Sequence, residues 1–178
     1  IAYVESGNSI TDLARLRDPA DGHMDAAHTW RDDWGADLVA LLNTSGSAGV
    51  AYMMDVLSIG FEDRAFSAIG HDVSGLVLAH ETGHNLGCAH NNVAGAPDTV
   101  FCDSFGYRTP DDQWRTIMSN APGEHIELFS SPLLEVDGVP LGIDGAGCPA
   151  GAADNVRSLN ATAATAALFR PTVVPLCP

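Results

Sequence analysis

Hydrophobic residues recur with two different periods along the first half of the chain. Short apolar runs bounded by polar residues predict three strands, at residues 36–42, 50–54 and 65–69. Acidic starts and polar flanks predict two short helices, at residues 9–17 and 22–34. A longer apolar stretch predicts a third helix at about residues 73–86. This mixture of strands and helices indicates the α/β (α+β) fold class.

The pattern changes at His90. The residues that follow are rich in Gly, Pro and Asn and show little period until Trp114, and a last helix is predicted at about residues 153–169, before Pro171. At 178 residues the chain is long enough for one domain with a core of its own. We therefore predict a single domain, 1–178, whose upper lobe (about 1–90) and lower lobe (about 91–178) flank a cleft.

A motif of chemical interest ends where the pattern changes. Its residues, 80–90, read HETGHNLGCAH. Residues four apart share one face of a helix, so His80 and His84 can bind the same metal ion. Glu81 lies about 100° further round the helix, where it can hold a water molecule beside the metal. Gly87 can adopt a positive φ and end the helix, and the turn then brings His90 back as a third ligand.

The motif predicts a catalytic zinc ion (Zn2+). Three protein ligands leave the fourth zinc position open to water, which is typical of catalytic rather than structural sites. Zinc acidifies this water and polarises a carbonyl, and Glu81 can act as general base, so we predict peptide-bond hydrolysis without a covalent intermediate. Two alternatives are a helix with solvated histidines and a structural zinc site that is closed by Cys88 as fourth ligand.

Composition limits the partners of the protein. The formal net charge is −15, and all eight basic residues are arginine. Such a surface repels nucleic acids and anionic membranes, and no apolar run is long enough to cross a membrane. We therefore expect polypeptide substrates, no nucleic acid, no membrane and a monomer. The four cysteines, an even number, predict two disulfides in a secreted protein, with three pairings open.

The HExxHxxGxxH pattern resembles that of the metzincin zinc endopeptidases. A second similarity is the segment WRTIMS at residues 114–119, which resembles the Met-turn of that family. In metzincins the methionine of this turn forms an apolar floor beneath the zinc ion, and Met118 is the matching residue here. The order of residues 51–54, residues 65–69 and the helix that follows them resembles the adamalysin (reprolysin) branch.

Further segments resemble one bacterial group, the secreted peptidyl-Asp metalloendopeptidases of the Asp-N type. They are residues 3–7, 11–17, 22–25, 35–39, 129–132, 138–142 and 154–160. These matches extend from residue 3 to about residue 170 and so cover nearly the whole chain. The resemblance implies a secreted zinc endopeptidase that cuts on the N-terminal side of aspartate.

The resemblance also implies features of the structure. The metzincin (zincin) fold has a twisted, mostly parallel sheet and the zinc-binding helix in its N-terminal lobe, and an irregular C-terminal lobe that ends in a helix. The substrate backbone pairs with an edge strand, which corresponds to residues 49–54 here. The chain departs from the family in two respects. Asn91 stands where adamalysins usually carry aspartate. The strand and long helix that normally come first have no match ahead of Ile1, and three explanations stay open: the chain was trimmed, another piece supplies these elements, or the fold is shortened.

Calcium and substrate recognition have weaker signals in the sequence. Calcium (Ca2+) is a second candidate ion, since secreted proteases often carry one, although no EF-hand spacing is present. A pocket for an aspartate side chain requires an arginine or a helix N-terminus, and the candidate arginines are Arg64, Arg108 and Arg115. A histidine near the cleft, His71 or His125, could stabilise an oxyanion.

The alternative function comes from another class of protein. It is a zinc-binding but catalytically inactive module of metzincin fold, which would hold the metal without turnover. The intact general base in the motif argues against this alternative, whereas the missing N-terminal elements argue for it.

Overall fold

The computed structural model of the protein describes residues 1–44, 48–70, 75–93 and 95–173. The helices and strands follow one another in this order: α1 (Ser9–Arg17), α2 (Ala26–Trp34), β1 (Val39–Asn43), β2 (Gly49–Ala51), a 3-10 helix (Ile59–Arg64), β3 (Phe66–Gly70), α3 (Gly75–Asn85), β4 (Ala89–Asn91), β5 (Phe105–Gly106), β6 (Trp114–Arg115), β7 (Glu124–His125), β8 (Ser131–Val136), β9 (Val139–Leu141) and α4 (Asn155–Ala166). The predicted mixture of helices and strands is confirmed.

The largest sheet has three strands in the order β1-β3-β2. β1 runs parallel to β3, whereas β2 runs antiparallel to it. Two of the three strands therefore run in the same direction, and only the edge strand β2 runs against them. The physical reason is the short connection between β1 and β2, because a parallel crossover needs about a dozen residues or more and a short loop can only reverse the chain.

The first hydrophobic core lies between this sheet and the first two helices. The central strand β3 is buried along its whole length. Its side chains Phe66 and Ala68 pack against Leu13, Leu16 and Met24. α1 begins at a capped end, where the side chain of Asn8 accepts hydrogen bonds from the backbone of the first turn. This core fixes the sheet on which the rest of the fold is built.

Several element ends differ from the prediction for local reasons. α2 begins at Ala26 rather than at residue 22, because Gly22 adopts a φ of +81°, which no helix can contain. β2 ends at Ala51, and the chain then leaves the sheet so that the Met54 amide donates to the carbonyl of His84, 3.1 Å away. Between β2 and β3 the chain forms the 3-10 helix, whose first turn is capped by the Ser58 hydroxyl. The predicted start of α3 at residue 73 lies outside the described residues.

The strands in the second half of the chain are short, and they pair as β4 with β5, β6 with β7 and β8 with β9. α4 packs behind α3, and the Thr162 hydroxyl donates to the Leu86 carbonyl over 2.9 Å. Residues 91–173 thus attach to the end of α3 by specific contacts. Within the described residues, no helix is both long and apolar enough to span a bilayer.

The cysteines do not form the expected pair of disulfides. Cys102 bonds to Cys148, and their Cα atoms lie 5.6 Å apart. Cys88 is a free thiol with no exposed surface, so the prediction of two disulfides that include it is wrong. The side chain of Cys88 instead fills the core beneath α3, which is the physical reason it needs no partner. Cys177 lies outside the described residues.

Candidate active site

The end of α3 has the geometry that brings three histidines together. Gly87 adopts a φ of +85°, its amide donates to the His84 carbonyl, and the Cys88 amide donates to the Gly83 carbonyl, each over 2.9 Å. These two bonds form a Schellman motif, which ends a helix and reverses the chain direction. The chain then enters β4, which carries His90 back towards His80 and His84.

The three imidazoles point their Nε2 atoms at one spot. The distance from the His90 Nε2 atom is 3.0 Å to that of His80 and 3.2 Å to that of His84. Three nitrogens that bind one tetrahedral zinc ion at 2.0–2.1 Å lie roughly 3.3 Å apart, so the observed spacing is close to that of a ligand set. These residues are the one group of three or more His, Cys, Asp or Glu side chains in the described part of the chain that could hold a metal ion.

Backbone carbonyls fix the orientation of two of these rings. The Nδ1 atom of His80 donates to the Ile117 carbonyl over 2.8 Å, and that of His84 donates to the Cys88 carbonyl over 2.7 Å. A proton on Nδ1 leaves the lone pair of Nε2 free for a metal. Burial, followed by the neighbouring histidines, lowers the pKa of His84 to about 4, and burial also lowers the pKa of His80 and His90. The rings are therefore neutral near pH 7, as metal binding requires.

Glu81 lies beside this cluster in a dry environment. Only 4% of its surface is exposed, and its Oε2 atom has no hydrogen-bond partner among the described residues. Burial raises the pKa of its carboxyl to about 7. A buried carboxyl oxygen without a partner is costly in a fold, and a catalytic role is one explanation for such a group.

The sequence prediction missed Gly49, although this residue shapes the site. A Cβ atom at Gly49 would lie 2.5 Å from Cγ, 2.6 Å from Oε1 and 2.7 Å from Cδ of Glu81. The backbone of β2 therefore approaches the carboxyl as closely as only glycine permits. A glycine inside a predicted strand was the available signal, since it often marks such a close approach.

Met118 lies under the same helix, with no exposed surface. Its Sδ atom would be 2.7 Å from a Cβ atom added at Gly83, the residue immediately before His84, so the thioether packs directly against the backbone of α3. Ile117 belongs to the same buried cluster and supplies the carbonyl that orients His80. The segment before and after Met118 thus supports the metal ligands from below.

Asn91 connects the third histidine to this supporting segment. Its Nδ2 atom donates to the Ser119 hydroxyl over 2.8 Å, and its Oδ1 atom accepts from the Asn120 amide over 3.0 Å. An aspartate at this position could accept from the Asn120 amide as Asn91 does, but it could not donate to the Ser119 hydroxyl. Asparagine in place of the family's usual aspartate therefore keeps a hydrogen-bonded link between β4 and the turn after Met118.

A cleft of about 210 Å³ opens over the site. It is lined by Ala48, Gly49, Leu76, Val77, His80, Glu81, His90, Asn120 and His125. A larger depression of about 610 Å³ adjoins it and shares His90 and Asn120 with it. The two together form a groove that passes His90. β2, which carries Gly49, is an edge strand of the three-stranded sheet, as the prediction for residues 49–54 required.

The other candidates fall in different places. His125 lines the cleft, with its Nε2 atom 3.3 Å from the Ile117 carbonyl, whereas His71 lies outside the described residues. Arg108 lines the larger depression and pairs with Asp112, and Arg64 lies at the end of the 3-10 helix. Arg115 lies on β6, beside His125 of β7. Calcium has no support from the described residues, because none of their acidic groups forms a candidate metal site.

Comparisons with known proteins agree with this geometry. A family profile described as Metallo-peptidase family M12 (Reprolysin_5) matches residues 3–130. A peptidyl-Asp metalloendopeptidase of Stenotrophomonas maltophilia is 37% identical over 179 residues, which cover 95% of this chain and 40% of that protein. A peptidyl-Asp metalloendopeptidase of Xanthomonas campestris pv. campestris is 34% identical over 175 residues, which cover 95% of this chain and 39% of that protein.

A solved structure, "Structure of a chaperone-substrate complex", superposes with a TM-score of 0.66 over 93% of this chain and 26% of that one. At 23% identity this likeness concerns the fold alone. The chain spans about 40% of the length of the curated relatives it matches. The resemblance to reprolysin-type proteins is confirmed, and the chain belongs to metallopeptidase family M12.

Proposed function

We propose that the protein is a zinc-dependent endopeptidase that cuts polypeptides on the N-terminal side of aspartate. The observation that carries the proposal is the partnerless carboxyl oxygen of Glu81 beside three converging imidazole nitrogens. Membership of family M12 supports the reaction, and the names of the relatives from Stenotrophomonas and Xanthomonas support the preference for aspartate.

The donor set fits zinc. His80, His84 and His90 would hold the ion, since three neutral imidazoles are donors that suit zinc and leave a coordination position open. When bound, zinc supplies Lewis-acid chemistry, which polarises the scissile carbonyl and acidifies water. Met118 beneath the ligands supports the metzincin arrangement of two lobes around this site.

Glu81 acts as the general base in this proposal. Its unpaired Oε2 atom accepts a proton from the attacking water and returns it to the leaving amine. A carboxyl pKa near the working pH is efficient for both transfers, because the group can then be found in either form. Gly49 holds the carboxyl in place and keeps solvent away from it.

The edge of β2 is the proposed docking line for the substrate backbone. An extended peptide can add to a free strand edge through backbone hydrogen bonds, which are independent of side-chain identity. Since Gly49 on this strand touches Glu81, a peptide paired there would pass directly over the base. We also propose that the protein acts outside the cytosol, because disulfides such as Cys102–Cys148 persist in oxidising compartments.

Cleavage mapping tests the proposal. The protein, loaded with zinc, is incubated with an unfolded protein mixture, and the new termini are identified by mass spectrometry. We expect cuts that precede aspartate and that disappear with a chelator and in Glu81→Ala. Zinc binding without any cuts would contradict the proposed activity and favour an inactive binding module. Cuts without enrichment of aspartate would contradict the specificity alone.

A further inference from the structure

Arg115 is held rigidly next to the cleft. Its Nε atom donates to the Gly123 carbonyl over 2.9 Å, and its Nη1 atom donates to the Ser119 carbonyl over 3.0 Å. In the backbone register of the parallel strands β6 and β7, Arg115 is the partner of His125, and His125 lines the cleft. The guanidinium is therefore anchored to the segment that follows Met118, and the backbone of Arg115 lies beside a residue of the cleft wall.

The charge of Arg115 has no carboxylate partner among the described residues. Within the same part of the chain, Arg15, Arg31 and Arg64 likewise form no ion pair with a carboxylate, so this lack does not by itself distinguish Arg115. Four other arginines form ion pairs with acidic side chains: Arg17, Arg108, Arg157 and Arg170. Arg115 is half-buried, so its charge is only partly solvated, and an external carboxylate would relieve this cost.

The remaining candidate arginines are less suitable. Arg108 already binds Asp112 at 2.7 Å. Arg64 is exposed and lies in a different depression, together with Asp55 and Asp63.

We propose that Arg115 is the specificity-determining residue that binds the carboxylate of the substrate residue following the scissile bond. This inference rests on the function proposed above. Nε and one Nη1 hydrogen are bound to carbonyls, and the Nη2 group, which has no hydrogen-bond partner among the described residues, can bind an aspartate. Because the two carbonyls fix the plane of the guanidinium, little side-chain entropy is lost when the carboxylate binds.

The test compares two peptides that differ in one residue, aspartate or asparagine, immediately after the cut. For Arg115→Gln, we expect kcat/KM on the aspartate peptide to fall by about 100-fold, and on the asparagine peptide to stay within about threefold. Arg64→Gln is the matched control, since it makes the same change of net charge away from the cleft. Its ratio of the two kcat/KM values should equal that of the wild type.

A purely structural role would give a different result. The bonds to Gly123 and Ser119 could serve only to hold the turn, and Arg115→Gln would then slow both peptides equally and reduce the zinc content. That outcome would overturn the inference. Arg115→Lys provides a second variant if Arg115→Gln does not fold, because it keeps the charge but lacks the planar fork. We expect its preference for aspartate over asparagine to fall about tenfold, and an unchanged preference would overturn the inference.

The experiment also separates this inference from the proposed function. A wild-type protein that cuts neither peptide contradicts the proposed endopeptidase. A wild-type protein that cuts both peptides equally contradicts the proposed preference for aspartate. A wild-type preference that persists in Arg115→Gln contradicts the role of Arg115 alone.

Discussion

One methyl group added at position 49 tests how closely strand β2 must approach the general base. In Gly49→Ala the new Cβ atom would lie 2.5 Å from Cγ of Glu81. Carbon atoms in contact prefer about 3.5 Å or more, so the carboxyl must move by about 1 Å. A displacement of this size at a catalytic group costs roughly 100-fold in rate, or about 2.7 kcal/mol of activation free energy.

The effect of Gly49→Ala on stability should be small by comparison. Replacing a glycine of ordinary φ by alanine stabilises the fold by about 0.5–1 kcal/mol through the unfolded chain, while the close contact costs about 1–3 kcal/mol. We therefore expect the free energy of unfolding to fall by between about 0 and 2.5 kcal/mol, and by about 1.2 kcal/mol at the middle of both ranges. Activity and stability thus respond to different degrees, and both can be measured on one preparation.

The assay is kcat on a fluorogenic peptide together with urea unfolding. Gly60→Ala is the matched control, because the nearest atom to a Cβ there is the Ser58 hydroxyl at 3.3 Å, far from the site. In the background of Glu81→Ala the clash disappears, so Gly49→Ala should then stabilise the protein. If Gly49→Ala retains kcat within about threefold of the wild type, the position of the carboxyl does not depend on this contact.

Three further predictions concern other parts of the structure. Asn91→Ala should weaken zinc affinity about 10–100-fold in a chelator competition. Asn91→Asp should weaken it less, because the carboxylate can accept from the Asn120 amide as Asn91 does and from the Ser119 hydroxyl, which then donates instead of accepting. The double substitution Cys102→Ser/Cys148→Ser should lower the free energy of unfolding by about 4 kcal/mol in urea, because the bridge closes a long loop, and an unchanged midpoint would contradict this. Burial opposes ionisation of Asp12, but its hydrogen bonds prevail and lower its pKa. The stabilisation by Asp12 is therefore complete above the ordinary aspartate pKa, about 3.9, and is lost as the pH falls through the lowered value. Asp12→Asn should cost about 2 kcal/mol at pH 7 and less at pH 3, and equal costs would contradict this assignment.

The convergence of the three histidines could be predicted from the sequence because its geometry is local. Helix periodicity brings His80 and His84 to one face, and Gly87 permits the turn that returns His90. These rules act over a few residues and need no knowledge of the remaining fold. The division into two lobes and the absence of membrane and nucleic acid partners stay predictions.

The features that were missed depend on contacts between distant segments. Gly49 acts on Glu81 only because the chain reverses after β1 and places β2 antiparallel beside β3, a pairing that the sequence pattern did not specify. Cys88 was counted as a disulfide partner because an even number of cysteines carries no information about burial. Likewise, Arg64, Arg108 and Arg115 were equal candidates in the sequence. The ion pair of Arg108 and the position of Arg115 on β6, beside His125, distinguish Arg115 from the other two.

The buried thiol of Cys88 makes the protein its own reporter of opening at the site. The sulfur lies in the layer shared by α3, Ile117 and Met118, with no exposed surface, and burial raises the pKa of the thiol. A thiol reagent can reach it only when this layer separates, so the labelling rate measures the free energy of that separation without any engineered probe. A metal held by helix and strand together would slow the labelling, and its occupancy could then be followed through a residue that never touches it.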